Sequence, residues 1–134
     1  MIKFTATGYG RYGFETLPDG QYNLYLFKLW TDDSRQDPPC VYKIGITSAL
    51  NPYDRIRYNS IADRVAISHV FPNCALLATK LFMNKAEAAQ CEADLLMSVS
   101  KKDFVIETRI SGITEMRRWN QEEVDHILSV INKP

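Results

Sequence analysis

One stretch of the sequence places a lysine inside a run of apolar residues. In YKIGITSALNPYDRIRY, Lys43 lies between Tyr42 and Ile44, and Gly45 follows it. An ammonium group in a strand either snorkels to water near the end of the strand or points at an anion in a cleft. A glycine two residues later on the same face would let a ligand or a backbone approach closely. The first chemistry that this stretch indicates is anion binding beside a strand.

A carboxylate on a predicted helix raises a similar question. In the helix predicted from Asn84 to Ser100, Glu92 falls in the sector defined by Ala88 and Leu95, at about 100° per residue. A helix packed on a sheet would therefore aim Glu92 inward, where an uncompensated carboxylate costs on the order of several kcal/mol. Its partner is a basic side chain, a cation, or water in a cleft. A structural salt bridge is the simpler interpretation and a metal ligand is the functional one.

Two further residues complete a set that could process a phosphate. Arg55 follows Lys43 on a predicted short helix, and Tyr25 stands on the strand expected to pair with that of Lys43. Arginine can bind phosphate oxygens with two parallel hydrogen bonds. A single carboxylate such as Glu92 suffices for Mg²⁺, because that ion keeps most of its waters and takes phosphate oxygens as ligands. Tyr25, or Lys43 in its neutral form, could orient or deprotonate a water molecule.

The elements that must position these residues form a mixed pattern. Tyr22 to Trp30 is apolar on both faces and predicts a central strand, and Cys40 to Ile46 predicts a second strand that pairs with it across a long loop. The last helix is predicted after Asn120, with apolar residues recurring at i, i+3, i+4 and i+7. Further strands are predicted at 64–72, 74–82 and 103–110. The pattern predicts an α+β fold with a small, mainly antiparallel central sheet flanked by helices.

Length and composition bound the class of protein. The chain has 134 residues, which suits one domain, 1–134, with an arm or irregular hairpin at 1–20 and a closing helix at 120–134. Sixteen basic residues balance sixteen acidic ones, so binding to nucleic acid through bulk positive charge is not expected. Three cysteines without CxxC spacing favour reduced thiols in a cytoplasmic protein. No signal peptide or membrane span is predicted.

The same residues resemble the GIY-YIG nuclease superfamily over roughly Tyr22 to Trp119. The segment Asn23-Leu24-Tyr25 is similar to the first motif of that family, and Lys43-Ile44-Gly45 is similar to the second. Arg55 and Glu92 lie where the family has a catalytic arginine and a metal-binding glutamate. The KIGIT…NPYDR run resembles a phage and bacterial branch in which lysine replaces the tyrosine of the second motif.

This chain departs from the family pattern in the first motif, where Asn23 and Leu24 replace Gly and Ile, and at one later position. Asn59 stands where the family has a histidine four residues after the arginine, so the general base is either Tyr25 or Lys43. In GITEMRRW, Glu115 and Trp119 loosely resemble a Glu-aromatic element of the same branch.

The resemblance implies an endonuclease that hydrolyses DNA phosphodiester bonds with one Mg²⁺ or Mn²⁺. Glu92 would hold the metal, Arg55 would stabilise charge on the phosphoryl group, and Lys43, Arg55, Arg57 and Asn59 would contact the nucleic acid. The alternative is a non-catalytic module with the same fold that binds DNA or a partner protein in phage–host defence or counter-defence, which the zero net charge favours. A third possibility is an unrelated α+β fold in which Glu92 pairs with a core arginine. A homodimer and a location in the cytoplasm, that of the host if the chain is phage-encoded, are further expectations.

Overall fold

A computed structural model of the chain describes residues 15–53, 70–99 and 116–133. Several predictions fall outside these ranges: the arm before residue 15, the short helix that carries Arg55, Arg57 and Asn59, and the strand at 103–110. They stay predictions.

The described residues form a four-stranded antiparallel sheet. Its strands are β1 (Tyr22–Trp30), β2 (Cys40–Thr47), β3 (Asn73–Phe82) and β4 (Met116–Arg117), in the order β3-β1-β2-β4. The strand β1 is one of the two inner strands, as a segment that is apolar on both faces predicts. The α+β class and the hairpin of the first two strands are confirmed.

The described residues include a helix after β3 and another after β4, and each begins with an asparagine cap. In α1 (Lys85–Met97), the side chain of Asn84 accepts a hydrogen bond from the backbone N–H of Glu87. In α2 (Gln121–Ile131), Asn120 and Glu123 form a reciprocal capping box. These bonds satisfy N–H groups that the first turn of a helix leaves without an internal partner.

Each face of the sheet has its own apolar cluster. The first face packs against α1 and α2 through the buried residues Leu24, Leu26, Tyr42, Ile44, Ala78, Leu95, Trp119, Val124, Ile127 and Ile131. The cluster on the second face contains no residue of α1 or α2. Its buried residues are Tyr25, Phe27, Leu29, Val41, Phe71 and Met116. Alternate residues of β1 and β2 thus enter different clusters, as the two-residue period of a strand requires.

A β-bulge in β3 allows this strand to contribute to both clusters. Leu26 pairs with Ala78 while Phe27 pairs with Leu76, so that Leu77 is an extra residue in the ladder. Ala78 therefore faces the helices and Leu76 faces the opposite side. The hydroxyl oxygen of Tyr53 accepts a 2.8 Å hydrogen bond from the backbone N–H of Leu76, at the bulge.

The structure corrects the sequence prediction at two places. The segment 64–72 was expected to be a strand; the structure describes its last three residues, of which Val70 is helical and Phe71 and Pro72 are irregular. The two-residue strand β4 was not predicted. All three cysteines are free thiols, as expected. None of the helices within the described ranges combines the length and the apolar content that crossing a membrane requires.

Candidate active site

The register of β1 and β2 brings two of the predicted site residues onto one face of the sheet. Tyr25 is the cross-strand partner of Gly45, and Phe27 is the partner of Lys43. Residues directly opposite in an antiparallel pair project to the same side, so Tyr25 and Lys43 lie diagonally across the two strands. The prediction that a tyrosine on the paired strand accompanies Lys43 is confirmed.

Gly45 is required by the position of the Tyr25 side chain. A methyl group built on Gly45 would lie 2.7 Å from Cζ and 3.2 Å from Cε2 of the Tyr25 ring, with the hydroxyl oxygen closer still. The tyrosine ring thus occupies the space that a side chain at position 45 would fill. The group that approaches Gly45 closely is the phenol of Tyr25 and not the ligand or backbone that the sequence led us to expect.

Lys43 is buried although it carries an ionisable amine. Only 2% of its surface is exposed, and its neighbours across the ladder are Phe27 on β1 and Met116 on β4. A lysine that snorkelled from a strand end would be exposed, so that interpretation is wrong. Lys43 and Thr47 are the buried polar residues of the described ranges. An isolated ammonium group in such surroundings would be strongly disfavoured. The burial of Lys43 is therefore compensated by its interaction with another group of the protein.

An aromatic row holds Tyr25 in place. The ring centroids of Tyr25 and Phe27 are 5.2 Å apart, and those of Phe27 and Tyr53 are 5.1 Å apart at a steep angle. Such tilted contacts are the preferred geometry for aromatic pairs. With 1% of its surface exposed, Tyr25 is fixed by this row on one side and by Gly45 beneath it. Sequence reasoning missed Tyr53; its position beside the proline of NPYDR was the available signal.

Glu92 lies on the helix that packs on the other face. It is half-buried, about 40° around α1 from the buried Ala88 and on the flank away from α2. The helix contacts the sheet on the face of Leu24 and Ile44, whereas Tyr25 and Lys43 belong to the opposite face. The structure therefore brings Tyr25 and Lys43 together but does not place the α1 helix on their side of the sheet. The Glu92 side chain also interacts with another group of the protein.

The donor chemistry of Glu92 is compatible with Mg²⁺ or Mn²⁺. Its carboxylate supplies the hard oxygen ligand that these ions prefer, and the ions retain water in their remaining positions. The described ranges contain no group of three or more His, Cys, Asp or Glu side chains arranged to hold a metal. A one-carboxylate site does not need such a group.

The neighbouring Tyr42 has a different role from Lys43. It lies on the helix-facing side, where its ring stacks on Trp119 at a centroid distance of 6.4 Å. Burial, a hydrogen bond with Cys40 and the negative charge of Asp125 raise the pKa of Tyr42 to about 12. This phenol stays neutral at ordinary pH and acts as part of the core.

Comparisons of the chain with protein-family models, curated proteins and solved structures found no match.

Proposed function

We propose that this chain is an endonuclease that hydrolyses DNA phosphodiester bonds with one divalent cation. The observation that supports the proposal best is the pairing of Tyr25 with Gly45 on adjacent strands. It sets a phenol and a buried amine diagonally across one face, with backbone rather than a side chain under the phenol. A buried lysine costs stability in a core that could have used an apolar residue, which favours a role in chemistry.

The basic residues of the proposed site would act on the phosphate. Arg55 would stabilise the charge that develops on the transferring phosphoryl group. Lys43, when protonated, would hold a non-bridging oxygen. In its neutral form it would instead accept the proton of the attacking water, a role for which Tyr25 is the other candidate.

Glu92 would hold the metal, which would stabilise the leaving oxygen as a Lewis acid when bound. The carboxylate itself positions the ion and balances part of its charge. Because α1 packs on the face opposite Tyr25, Glu92 would have to reach the phosphate past an edge or end of the sheet.

The burial of the reactive groups favours a second function. Tyr25 and Lys43 expose 1% and 2% of their surfaces, so a DNA backbone has little direct access to either group in this conformation. In a non-catalytic binding module with the same fold, Tyr25 and Lys43 would be structural residues that pack in the interior. The zero net charge agrees with a partner that is not bound by bulk electrostatics.

Cleavage of supercoiled plasmid in Mg²⁺ or Mn²⁺, with and without chelator, separates the two functions. The variants are Glu92→Gln and Arg55→Ala, with Glu87→Gln and Arg35→Ala as matched controls. Glu87 is an exposed carboxylate on the same helix, and Arg35 is an exposed loop arginine. We expect metal-dependent nicking that the first pair of changes abolishes and the controls retain, with circular dichroism unchanged in all four.

A wild-type protein that cuts no form of DNA with either ion would overturn the nuclease proposal in favour of the binding module. Nicking that persists at the wild-type rate in Glu92→Gln would remove this glutamate from the site while leaving the activity in place.

A further inference from the structure

The two helices enclose a groove on the side of the molecule away from Tyr25 and Lys43. It has a volume of about 540 Å³, and the residues that line it are Glu87, Gln90, Cys91, Asp94, Leu95 and Ser98 of α1 and its cap, with His126 and Val130 of α2. Its size lies within the range of sites that bind ligands or side chains of a partner.

The floor of the groove is apolar. Leu95 is buried there, and Cys91 and Val130 pack against the same cluster. Burial raises the pKa of the Cys91 thiol; Lys80 opposes this shift and Asp94 adds to it. The thiol is therefore neutral and behaves as a small apolar group.

Two carboxylates line the α1 side of the groove. Glu87 and Asp94 are exposed, and neither forms an ion pair within the described ranges. Asp94 accepts a hydrogen bond from Gln90 at 2.8 Å through one oxygen, which leaves the other available. Lys80 is the nearby cation, and its ammonium is directed at the C-terminal end of α2, where it donates to the carbonyl of Lys133 at 3.3 Å.

Ser98 and His126 lie at one end of the groove, but they are not arranged as a nucleophile and its general base. Ser98 donates its hydroxyl hydrogen to the carbonyl of Leu95 at 2.7 Å, so Nε2 of His126 must donate to Ser98 Oγ at 3.1 Å. A general base would need the opposite arrangement, with the hydroxyl donating to the imidazole. These contacts close the end of the groove and leave it suited to binding rather than catalysis.

We infer that this groove binds an amphipathic helix of a partner protein, with apolar residues toward Cys91, Leu95 and Val130 and basic residues toward Glu87 and Asp94. The lining runs along α1 from Glu87 to Ser98, about 16 Å, which matches about three turns of a helix. Glu87 and Asp94 are seven residues apart, or about 10 Å, so lysines or arginines spaced by one heptad can face both. The inference does not depend on the proposed nuclease function, because the sheet separates the groove from Tyr25 and Lys43.

Fluorescence anisotropy with a designed peptide tests this inference. The probe is a capped, labelled helix of about 15 residues with leucine at heptad positions a and d and lysine at every e position; a second probe carries glutamate in place of lysine. The protein variants are the double change Glu87→Lys/Asp94→Lys and the control Asp19→Lys/Glu122→Lys. All four positions are exposed, and only the first two line the groove.

We expect the lysine peptide to bind the wild type and the control equally. It should bind the groove variant about tenfold or more weakly, since two attractive contacts become repulsive, and that variant should prefer the glutamate peptide. The inference is wrong if both peptides bind the wild type alike, if reversing Glu87 and Asp94 changes nothing, or if no binding occurs up to about 1 mM peptide. Self-association of the wild type that the groove variant abolishes would assign the surface to a second copy and also overturn the inference.

Discussion

The ring of Tyr25 rests directly on the backbone of Gly45, its partner in the adjacent strand. Both residues stand in the two segments on which the proposed nuclease function is based, so their contact joins those two segments physically. The phenol occupies the space that a side chain at position 45 would fill. Gly45 is therefore a positioning residue for the proposed site.

Substitution of Gly45 by alanine should displace Tyr25. The added methyl group meets the ring at 2.7 Å, and we expect a loss of about 1–3 kcal/mol in the free energy of unfolding measured in urea. The loss should be smaller in a Tyr25→Phe background, because the hydroxyl is the atom nearest the new methyl group. Equal losses in both backgrounds would contradict the contact.

Replacement of Lys43 by methionine should remove nicking activity while the sheet persists. Methionine has a similar length and suits the apolar contacts with Phe27 and Met116, but it can neither bind phosphate nor accept a proton. We expect plasmid nicking to fall by about 100-fold or more. Lys28→Met on β1 is the control and should retain activity.

A Lys43→Arg variant separates the two roles of this residue. Arginine keeps the charge but cannot act as a base, because it is not deprotonated in proteins. Partial activity would assign Lys43 to phosphate contact, and complete loss with retained folding would favour the role of base.

Removal of the Tyr53 hydroxyl should destabilise the bulge of β3. In Tyr53→Phe the backbone N–H of Leu76 loses its 2.8 Å acceptor, while the ring contact with Phe27 remains. We expect a cost of about 1–3 kcal/mol in urea unfolding, together with faster amide exchange at Leu76. Tyr22→Phe, which retains the ring that faces Lys85, is the control, and unaltered exchange at Leu76 in Tyr53→Phe would refute the role.

The stability of the protein should fall at alkaline pH through Tyr42. Its pKa is raised from 10.0 to about 12 in the folded state, chiefly by burial, so the folded protein retains a proton that the unfolded chain loses. The contribution is fully present below pH 10 and is lost as the pH rises toward 12. Cys74, whose pKa burial raises from 9.0 to about 11, acts in the same direction at lower pH.

Urea unfolding between pH 9 and pH 12 in a Cys74→Ser background would measure this effect. Adding Tyr42→Phe should flatten the decline above pH 10. An identical slope with phenylalanine at position 42 would assign the decline to other groups.

The two asparagine caps should differ in strength. The double change Asn120→Ala/Glu123→Ala removes both bonds of the capping box at the start of α2, whereas Asn84→Ala removes one acceptor at the start of α1. We expect a loss of about 1 kcal/mol for Asn84→Ala and a larger loss for the double change by thermal or urea unfolding. Indistinguishable losses would show that the Glu123 half of the box adds nothing.

Local patterns in the sequence were sufficient for β1, β2 and β3 and for the starts of α1 and α2. The apolar run of β1 and the asparagines before α1 and α2 carry their signals within a few residues. The bulge in β3 could not be predicted, because NCALLATKLF offers apolar residues to both faces in either phase. The short β4 has too few residues to show a period.

The candidate site was predictable only in part for a similar reason. The partnership of Tyr25 with the β2 strand follows from the hairpin, which is local. Which face of the sheet receives α1, and hence Glu92, depends on the path of the chain between β3 and α1. No residue pattern within the helix specifies it.

The bulge gives β3 one position at which the chain can be shortened. Deleting Leu77 would leave Leu76 opposite Phe27 and Ala78 opposite Leu26 in an unbroken ladder, so both clusters would keep their residues. Deleting Leu76 instead gives the same sequence, because residues 76 and 77 are both leucine. Loss of a residue farther from the bulge would turn over the residues between the deletion and either the bulge or the end of the strand. A one-residue gap in β3 is thus tolerable at the Leu76–Leu77 pair and disruptive farther along the strand.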